Sequence, residues 1–135
     1  MAYSLLVLLT DQTTLTLDTL AQRLSKRFSY DPAVVIEHGT SDVVLVQWGA
    51  WSVHIGYENE PHVAVESEDI ADRFATSHPS RSDIAFCKQR LSVSGDDDPN
   101  MDHFNDFLFV MEVLESYSGV YLFDPQEGAF VDGSS

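Results

Sequence analysis

Two apolar segments separated by a glycine-first dipeptide set the strongest constraint on the fold. Residues 43–48 and 51–57 flank Gly49 and Ala50, and a two-residue connection that starts with glycine is typical of a type II′ β-hairpin. In the second segment, apolar residues alternate with polar or small ones, so one face is apolar and the other suits water. The sequence therefore predicts a sheet with one helix-covered face.

Residues 4–9 predict a different kind of strand. They form a continuous apolar run, which suits a central strand covered on both faces. The run is too short to cross a bilayer, and it lacks the flanking basic residues and the cleavage site of a secretory signal. The single cysteine, Cys87, has no partner within the chain for a disulfide. We therefore expect a cytoplasmic protein without a membrane segment.

A helix is predicted after this strand. From Leu17 to Phe28, apolar residues recur three and four positions apart, which places them on one helix face. Thr13 or Thr14 can cap the first turn, and the helix should end near Tyr30, before an aspartate–proline pair. Its second half holds the only basic cluster of the chain, which consists of Arg23, Lys26 and Arg27.

The order of the predicted elements indicates an α+β fold. The elements do not alternate as regular βαβ units, so we expect one domain over residues 1–135, with helices packed on one face of a mainly antiparallel sheet of five to seven strands. A chain of this length can bury roughly 65–70% of its unfolded surface. The other predicted elements are helices at residues 68–76 and 101–117, strands at residues 34–36, 89–94, 120–123 and 129–131, a loop at residues 58–62 and a turn at residues 39–41.

The distribution of charge gives the clearest indication of function. No lysine or arginine follows Arg90, whereas ten of the 22 carboxylates do, and the formal net charge is −15. A segment this acidic repels phosphate backbones and anionic lipids, and it attracts cationic partners. We therefore expect a basic protein partner, and neither direct binding of nucleic acid nor attachment to a membrane.

The carboxylates are densest just before the last predicted helix. The run from Asp96 to Asp98 precedes Pro99, which is tolerated at a first helical position, so one aspartate can accept hydrogen bonds from the N–H groups at the helix start. A divalent cation site is the alternative, since Asp102, His103 and Asp106 also carry ligand atoms. The segment lacks the glycine and the glutamate of an EF-hand loop, and we assign no metal.

The last predicted helix has apolar residues on two faces. Its core stripe, which begins with Phe104, is regular, but Phe109 and Val113 fall on the opposite face among carboxylates. Either another element covers that face, or Phe109 supplies apolar area to a binding surface in which the carboxylates supply steering. The binding surface predicted in this way consists of Asp96, Asp97, Asp98, Asp102, Asp106, Phe109, Glu112 and Val113.

No motif for catalysis or for a cofactor is present in the sequence. The five histidines lack the HExxH spacing, and a single cysteine excludes CxxC. The glycine-rich loops of nucleotide-binding proteins and the GxSxG of serine hydrolases are also missing. We therefore predict no catalytic residue, no cofactor and no enzymatic activity.

In these respects the chain resembles the small acidic immunity proteins of bacterial toxin systems. The features that carry the resemblance are the size of the chain, the acidic segment from Asp96 to Asp106, and the pair of Phe109 and Val113 on an acidic helix. The resemblance implies a cytoplasmic, non-enzymatic protein that holds a cognate toxin inactive. The same charge would suit an inhibitor that occupies the basic groove of a nucleic-acid-binding protein.

Two other functions fit the same sequence. A small enzyme or ligand-binding domain would need a pocket between the sheet and the helix at residues 101–117. A homo-oligomeric structural domain would bury Phe109 and Val113 against a second copy of the chain. The surroundings of this helix therefore distinguish the alternatives.

Overall fold

One antiparallel sheet of seven strands, with four helices, makes up the part of the chain that the computed structural model describes, residues 3–39 and 42–131. The elements in chain order are β1 (Tyr3–Leu9), α1 (Leu17–Arg27), β2 (Val34–Glu37), β3 (Val43–Trp48), β4 (Trp51–Glu58), α2 (Pro61–Phe74), α3 (Arg81–Ala85), β5 (Gln89–Gly95), α4 (Phe104–Glu115), β6 (Val120–Asp124) and β7 (Ala129–Val131). Across the sheet the order is β2-β3-β4-β5-β1-β6-β7. The predicted α+β class and antiparallel sheet are confirmed. Residues 40 and 41 of the predicted turn lie outside the described part.

The β3–β4 hairpin forms where the glycine-first dipeptide predicted it. Trp48 pairs with Trp51 across the turn, and Gly49 has a φ of 61°. Met101 is the only non-glycine residue with positive φ in the described ranges, so Ala50 is not left-handed. A positive φ at the first turn position alone is typical of a type II′ turn. The two tryptophan rings lie 5.3 Å apart between centroids and stabilise the hairpin by cross-strand packing.

Strand β1 lies between β5 and β6 and is buried on both faces, as its apolar run predicted. Leu5, Val7 and Leu9 point into the larger of two cores, which α1 and α4 cover. Leu8 points the other way, into a smaller core that α2 and α3 cover, and Leu6 packs against that core. Because successive strand residues alternate in direction, one strand contributes to both cores.

The expected one-sided cover of helices describes only part of the sheet. Over β3 and β4, Val46 and Val53 lie in the larger core, while His54 on the opposite face is exposed. Over β1 and β6 the structure differs from the expectation, since α2 and α3 lie against the second face. The reason is that these strands also present apolar residues there, such as Leu8 and Phe123, and an apolar face must be buried against another element.

The helices begin at residues other than those predicted. The cap of α1 is Thr16, which forms a capping box with Thr19, rather than an earlier threonine. Helix α2 begins at Pro61, well before residue 68, because proline is suited to the first helical position, where its missing N–H costs no hydrogen bond. Helix α4 begins at Phe104, and the residues before it form a loop.

A buried arginine fastens α2 to the sheet. Arg90 on β5 is 7% exposed, and its Nε lies 2.8 Å from Oε1 of Glu58 on the neighbouring β4. Its Nη2 lies 2.7 Å from Oε1 of Glu66 on α2. A guanidinium can satisfy both carboxylates because its planar fork presents several N–H donors. Without it, the two carboxylates would lose the charge that compensates them.

The substitution Arg90→Met should destabilise the protein by about 2 kcal/mol, since breaking a buried ion pair costs about 3–5 kcal/mol and both glutamates here keep part of their hydration. Urea denaturation followed by circular dichroism measures the change. Arg73→Met is the control, because Arg73 forms only an exposed pair with Asp69 and should cost less than about 0.5 kcal/mol. Equal losses in both variants would contradict a special role for the buried pairs.

The only cysteine of the chain is buried in the smaller core. Cys87 follows α3, is 1% exposed, and its Sγ donates a hydrogen bond to the carbonyl oxygen of Asp83. Burial, together with the charges of Asp83 and Asp11, raises the pKa of the thiol to about 12. Because the thiolate is the reactive form, Cys87 is a poor nucleophile in the folded protein.

Candidate binding surface

The loop between β5 and α4 carries the densest acidic segment of the chain. We call residues 96–103 the acidic loop. It follows Gly95, whose Cα faces the rings of Trp51 and Tyr3 so closely that a Cβ would lie 3.1 and 3.2 Å from them. The acidic loop is therefore built on the aromatic end of the larger core.

Asp98 anchors the acidic loop from beneath. Its carboxylate is buried, and Oδ2 accepts hydrogen bonds from the Tyr3 hydroxyl at 2.7 Å and from the backbone N–H of His103 at 2.9 Å. The backbone N–H of Asp102 also donates to this carboxylate. Asp98 thus satisfies N–H groups at and just before the N-cap of α4, which is close to the capping role predicted for one aspartate of the run.

The contact between Tyr3 and Asp98 shifts both protonation equilibria. Burial acts to raise the pKa of Asp98, but the hydrogen bonds from Tyr3 and His103 outweigh it, and the pKa lies below its ordinary value. Burial and the neighbouring carboxylate raise the pKa of Tyr3 to about 12. At neutral pH a neutral hydroxyl therefore donates to a carboxylate, and such charge-assisted bonds are stronger than those between neutral groups.

This contact predicts a loss of stability at high pH. Because the pKa of Tyr3 rises from 10.0 to about 12 on folding, its contribution is fully present below pH 10.0 and disappears as the pH rises through about 12. The difference in unfolding free energy between the wild type and Tyr3→Phe, measured in urea, should therefore shrink over that range. If the two proteins gave parallel pH profiles, the hydroxyl would not be the group responsible.

Asp96 ties the start of the acidic loop to the hairpin. Its Oδ2 accepts the backbone N–H of Ser52 at 3.0 Å, and its carbonyl oxygen accepts the indole N–H of Trp51 at 2.9 Å. Its Oδ1 lies 3.7 Å from Nε2 of His54, on the open face of β4. Asp96 is therefore a structural residue, although 45% of its side chain remains exposed.

His103 holds the other end of the acidic loop. Its ring stacks on Trp51, with centroids 4.7 Å apart and an interplanar angle of 6°. Its Nδ1 lies 3.0 Å from Oδ2 of Asp106 in the first turn of α4, where negative charge also suits the helix dipole. The sequence does not predict this stacking, because nothing local to His103 indicates that the fold brings Trp51 alongside.

The acidic loop and the first residue of α4 expose acidic and apolar side chains that are close together in the sequence. Asp97 and Asp102 are exposed, Met101 is 53% exposed, and Phe104, the first residue of α4, is 37% exposed. The N–H of Met101 donates to the carbonyl oxygen of Asp98, in a turn that gives Met101 a φ of 58°. That left-handed conformation costs a residue with a side chain about 1–2 kcal/mol, so the turn must hold it in place.

The sequence did not single out Met101 or Phe104 as apolar contact residues. Phe104 fits the apolar stripe of its helix, and such a position predicts burial in the core. Its partial exposure arises because it lies in the first turn of α4, where the helix meets the acidic loop. Met101 has no periodic signal at all, since loops follow none.

Phe109, Glu112 and Val113 lie where α4 meets α1. Val113 is 7% exposed, and the Phe109 ring lies beneath the guanidinium of Arg27, with 4.3 Å between the guanidinium carbon and the ring centroid. Arg27 also lies 3.9 Å from the Glu112 carboxylate. Another element, α1, therefore covers this face of α4. The homo-oligomeric alternative requires Phe109 and Val113 to be uncovered in the single chain, and in this structure they are not.

The predicted binding residues are thus divided between two places. Asp96, Asp97, Asp98, Asp102 and Asp106 belong to the acidic loop or to the helical turn that follows it, and of these Asp98 is buried. The other three belong to the contact between α1 and α4. A partner that approaches this conformation reaches the exposed carboxylates of the acidic loop, and it does not reach the Asp98 carboxylate or Val113.

The acidic loop was one candidate for a cation site, but its buried carboxylate, Asp98, accepts hydrogen bonds from Tyr3 and His103. Within the described ranges, one group of three ligand side chains lies close enough to share a cation, namely Glu58, Glu60 and His62, whose ligand atoms are within 4.8 Å of one another. This group is at the end of β4, outside the acidic loop, and Glu58 already binds Arg90. The cation site considered for the acidic segment therefore has no geometric support in the described residues.

The ligand-binding alternative requires a pocket between the sheet and α4. Apolar side chains fill that space instead. Phe107, Val110 and Leu114 of α4 are all buried in the larger core. A hollow of about 440 Å³ lies instead beside the N-terminal turn of α1, where Nδ1 of His38 is 3.2 Å from Oδ1 of Asp18. Among the described residues, this alternative therefore has no pocket at the predicted place.

Comparison with known proteins identifies no relative. No protein-family model, no curated protein and no solved structure matches the chain. None of the described helices combines the length and the apolar character needed to cross a lipid bilayer. The evidence for function therefore lies in the exposed residues of the acidic loop and of the start of α4.

Proposed function

We propose that this chain is a non-enzymatic binding protein that holds a basic protein partner, such as a toxin, in an inactive complex. The observation that carries the proposal is that two acidic and two apolar residues close together in the sequence are all exposed, namely Asp97, Asp102, Met101 and Phe104. Apolar area supplies affinity when it is buried in a complex, and the surrounding carboxylates attract a cationic partner and fix its orientation.

The anchored base of the acidic loop supports this role. Asp98 binds Tyr3, Asp96 binds the hairpin, and His103 stacks on Trp51. A surface that is already ordered loses less conformational entropy on binding, so each contact contributes more to affinity. A loop that was loosely attached would lack this advantage.

The charge of the whole molecule favours the same class of partner. A net charge of −15 accelerates encounters with cationic proteins, and salt weakens the effect because exposed charges are screened beyond about 8 Å at physiological ionic strength. A nucleic-acid-binding protein whose groove is occupied by mimicry would show the same dependence. The resemblance to immunity proteins is the reason for placing a toxin first.

Reversing charge on the acidic loop should weaken binding without unfolding the protein. We expect Asp97→Lys/Asp102→Lys to slow association with the partner about tenfold, since local attraction becomes repulsion. The matched control, Glu68→Lys/Glu127→Lys, makes the same change in net charge at exposed positions of α2 and of the turn after β6. Wild type and both variants are immobilised in parallel, and the proteins that each retains from a lysate of the organism carrying the gene are identified by mass spectrometry.

The partner is the protein that wild type and control retain and the loop variant loses. Its association rate, measured with purified protein, should fall steeply with salt. If every such protein were acidic, or if loop variant and control bound equally well, the proposal would be wrong.

Met101→Gly separates binding from stability. Glycine relieves the left-handed backbone at this position, so thermal denaturation should show no loss of stability. The same change removes a 53% exposed apolar side chain and should speed dissociation of the partner about tenfold. An unchanged dissociation rate would exclude Met101 from the contact.

A further inference from the structure

A groove between α1 and α4 gathers three of the seven lysine and arginine residues of this acidic protein. Its volume is about 470 Å³. Helix α1 contributes the cations, and α4 contributes one carboxylate, one apolar side chain and, just after its end, one hydroxyl. The groove is lined by Arg23, Lys26, Arg27, Glu112, Val113 and Ser116.

Arg23 is held in this groove by an aromatic ring and a hydroxyl group. Its guanidinium carbon lies 3.7 Å from the centroid of the Tyr117 ring, and Nη1 donates a hydrogen bond to Oγ of Ser116 at 2.9 Å. Among the residues that the structure describes, no carboxylate forms an ion pair with Arg23 or Lys26. A guanidinium has five N–H donors, so most of those on Arg23 remain for a ligand.

Arg27 is held in a similar way. It lies over the Phe109 ring, and its contact with Glu112 is 3.9 Å long, to a carboxylate that is 62% exposed. Arg81 and Arg90, by contrast, approach their carboxylates to 2.9 and 2.7 Å. Arg23 and Arg27 are therefore oriented by aromatic rings but only weakly neutralised, which is the state in which a guanidinium recognises an added carboxylate.

We infer that this groove binds an acidic peptide segment of a partner protein, one with two carboxylates a helical turn apart and an apolar residue on the same face. Arg23 and Arg27 are four residues apart, or about 6 Å along the helix axis. Carboxylates at positions i and i+4 of a helix have the same spacing. Val113 is only 7% exposed, so the apolar surface for the residue that accompanies them comes mainly from the aliphatic stems of the Arg23, Lys26 and Arg27 side chains, which line the groove.

The charge of the whole protein favours a short acidic segment over nucleic acid. A polyanion that extended beyond the groove would meet the carboxylates that give the protein its charge of −15. A peptide that ends within the groove is influenced mainly by the nearby cations, because salt screens the more distant charges. The apolar part of the lining also suits a side chain better than it suits phosphate.

The groove is separate from the acidic loop, and this inference does not rest on the proposed function. The acidic loop attracts positive charge, whereas the groove attracts negative charge. A partner that contacted both would need opposite charges at two positions, and that requirement would fix a single orientation of binding.

The test uses a short fluorescent helical peptide with two glutamates one turn apart and a leucine on the same face. In the comparison peptide both glutamates are glutamine. Fluorescence anisotropy with the full chain should show the glutamate peptide binding about tenfold more tightly, with affinity that falls as salt is raised. Backbone amide NMR signals should shift in α1 and α4. Equal affinity of the two peptides would overturn the inference.

Variants locate the site. Arg23→Met/Lys26→Gln keeps an apolar stem over Tyr117 and should weaken binding of the glutamate peptide about tenfold. The control Arg73→Met/Lys88→Gln removes the same charge from exposed positions elsewhere and should change affinity less than about twofold. If the double variant does not fold, the single variant Lys26→Glu replaces it, because Lys26 is exposed. It should also weaken binding of the glutamate peptide.

Two other outcomes would contradict binding of an acidic peptide in the groove. Unchanged affinity in the groove variants would overturn the inference, as would a single-stranded oligonucleotide that binds more tightly than the glutamate peptide. Asp97→Lys/Asp102→Lys should not weaken peptide binding, because the acidic loop lies outside the groove. A failure of the peptide test would therefore leave the proposal for the acidic loop standing.

Discussion

The burial of β1 on both faces is the constraint on which the rest of the structure depends. The strand is hydrogen-bonded to β5 and β6 and directs alternate leucines and valines into two cores, so it fixes which helices lie on which face. Its first residue, Tyr3, links the strand to the acidic loop, because the Tyr3 hydroxyl donates a hydrogen bond to the buried carboxylate of Asp98. The acidic loop is therefore attached to β1, an interior strand of the sheet.

The protein uses its few cations in two different ways. Arg90 joins two strands and a helix by neutralising carboxylates, and such a contact resists removal because each partner would be left with uncompensated charge. Arg23 and Arg27 instead lie on aromatic rings and keep much of their capacity to bind anions. The same residue type thus stabilises the fold in one place and, in the other, lines the groove for which we propose an acidic peptide.

Local sequence signals predicted the strands and the longer helices better than the helix starts, whereas the surroundings of the site depended on distant parts of the chain. The dipeptide of Gly49 and Ala50 and the apolar run of β1 specified a hairpin and a central strand, because turn chemistry and burial act over a few residues. The cover that α1 gives to Phe109 joins residues far apart in sequence, and periodicity does not identify which element supplies such cover. Trp51 beside His103 has the same origin. Asp98 was predictable as a residue that caps, but not as one that binds Tyr3.

The position of Cys87 makes the smaller core accessible to measurement by itself. The thiol is 1% exposed on the α2–α3 side of the sheet, so a modifying reagent reaches it only when that layer lifts away. Since the chain has no other thiol, the rate at which a reagent labels Cys87 reports how often the layer of α2 and α3 opens locally. The ratio of that rate to the rate of complete unfolding would reveal whether the two layers separate together or one before the other.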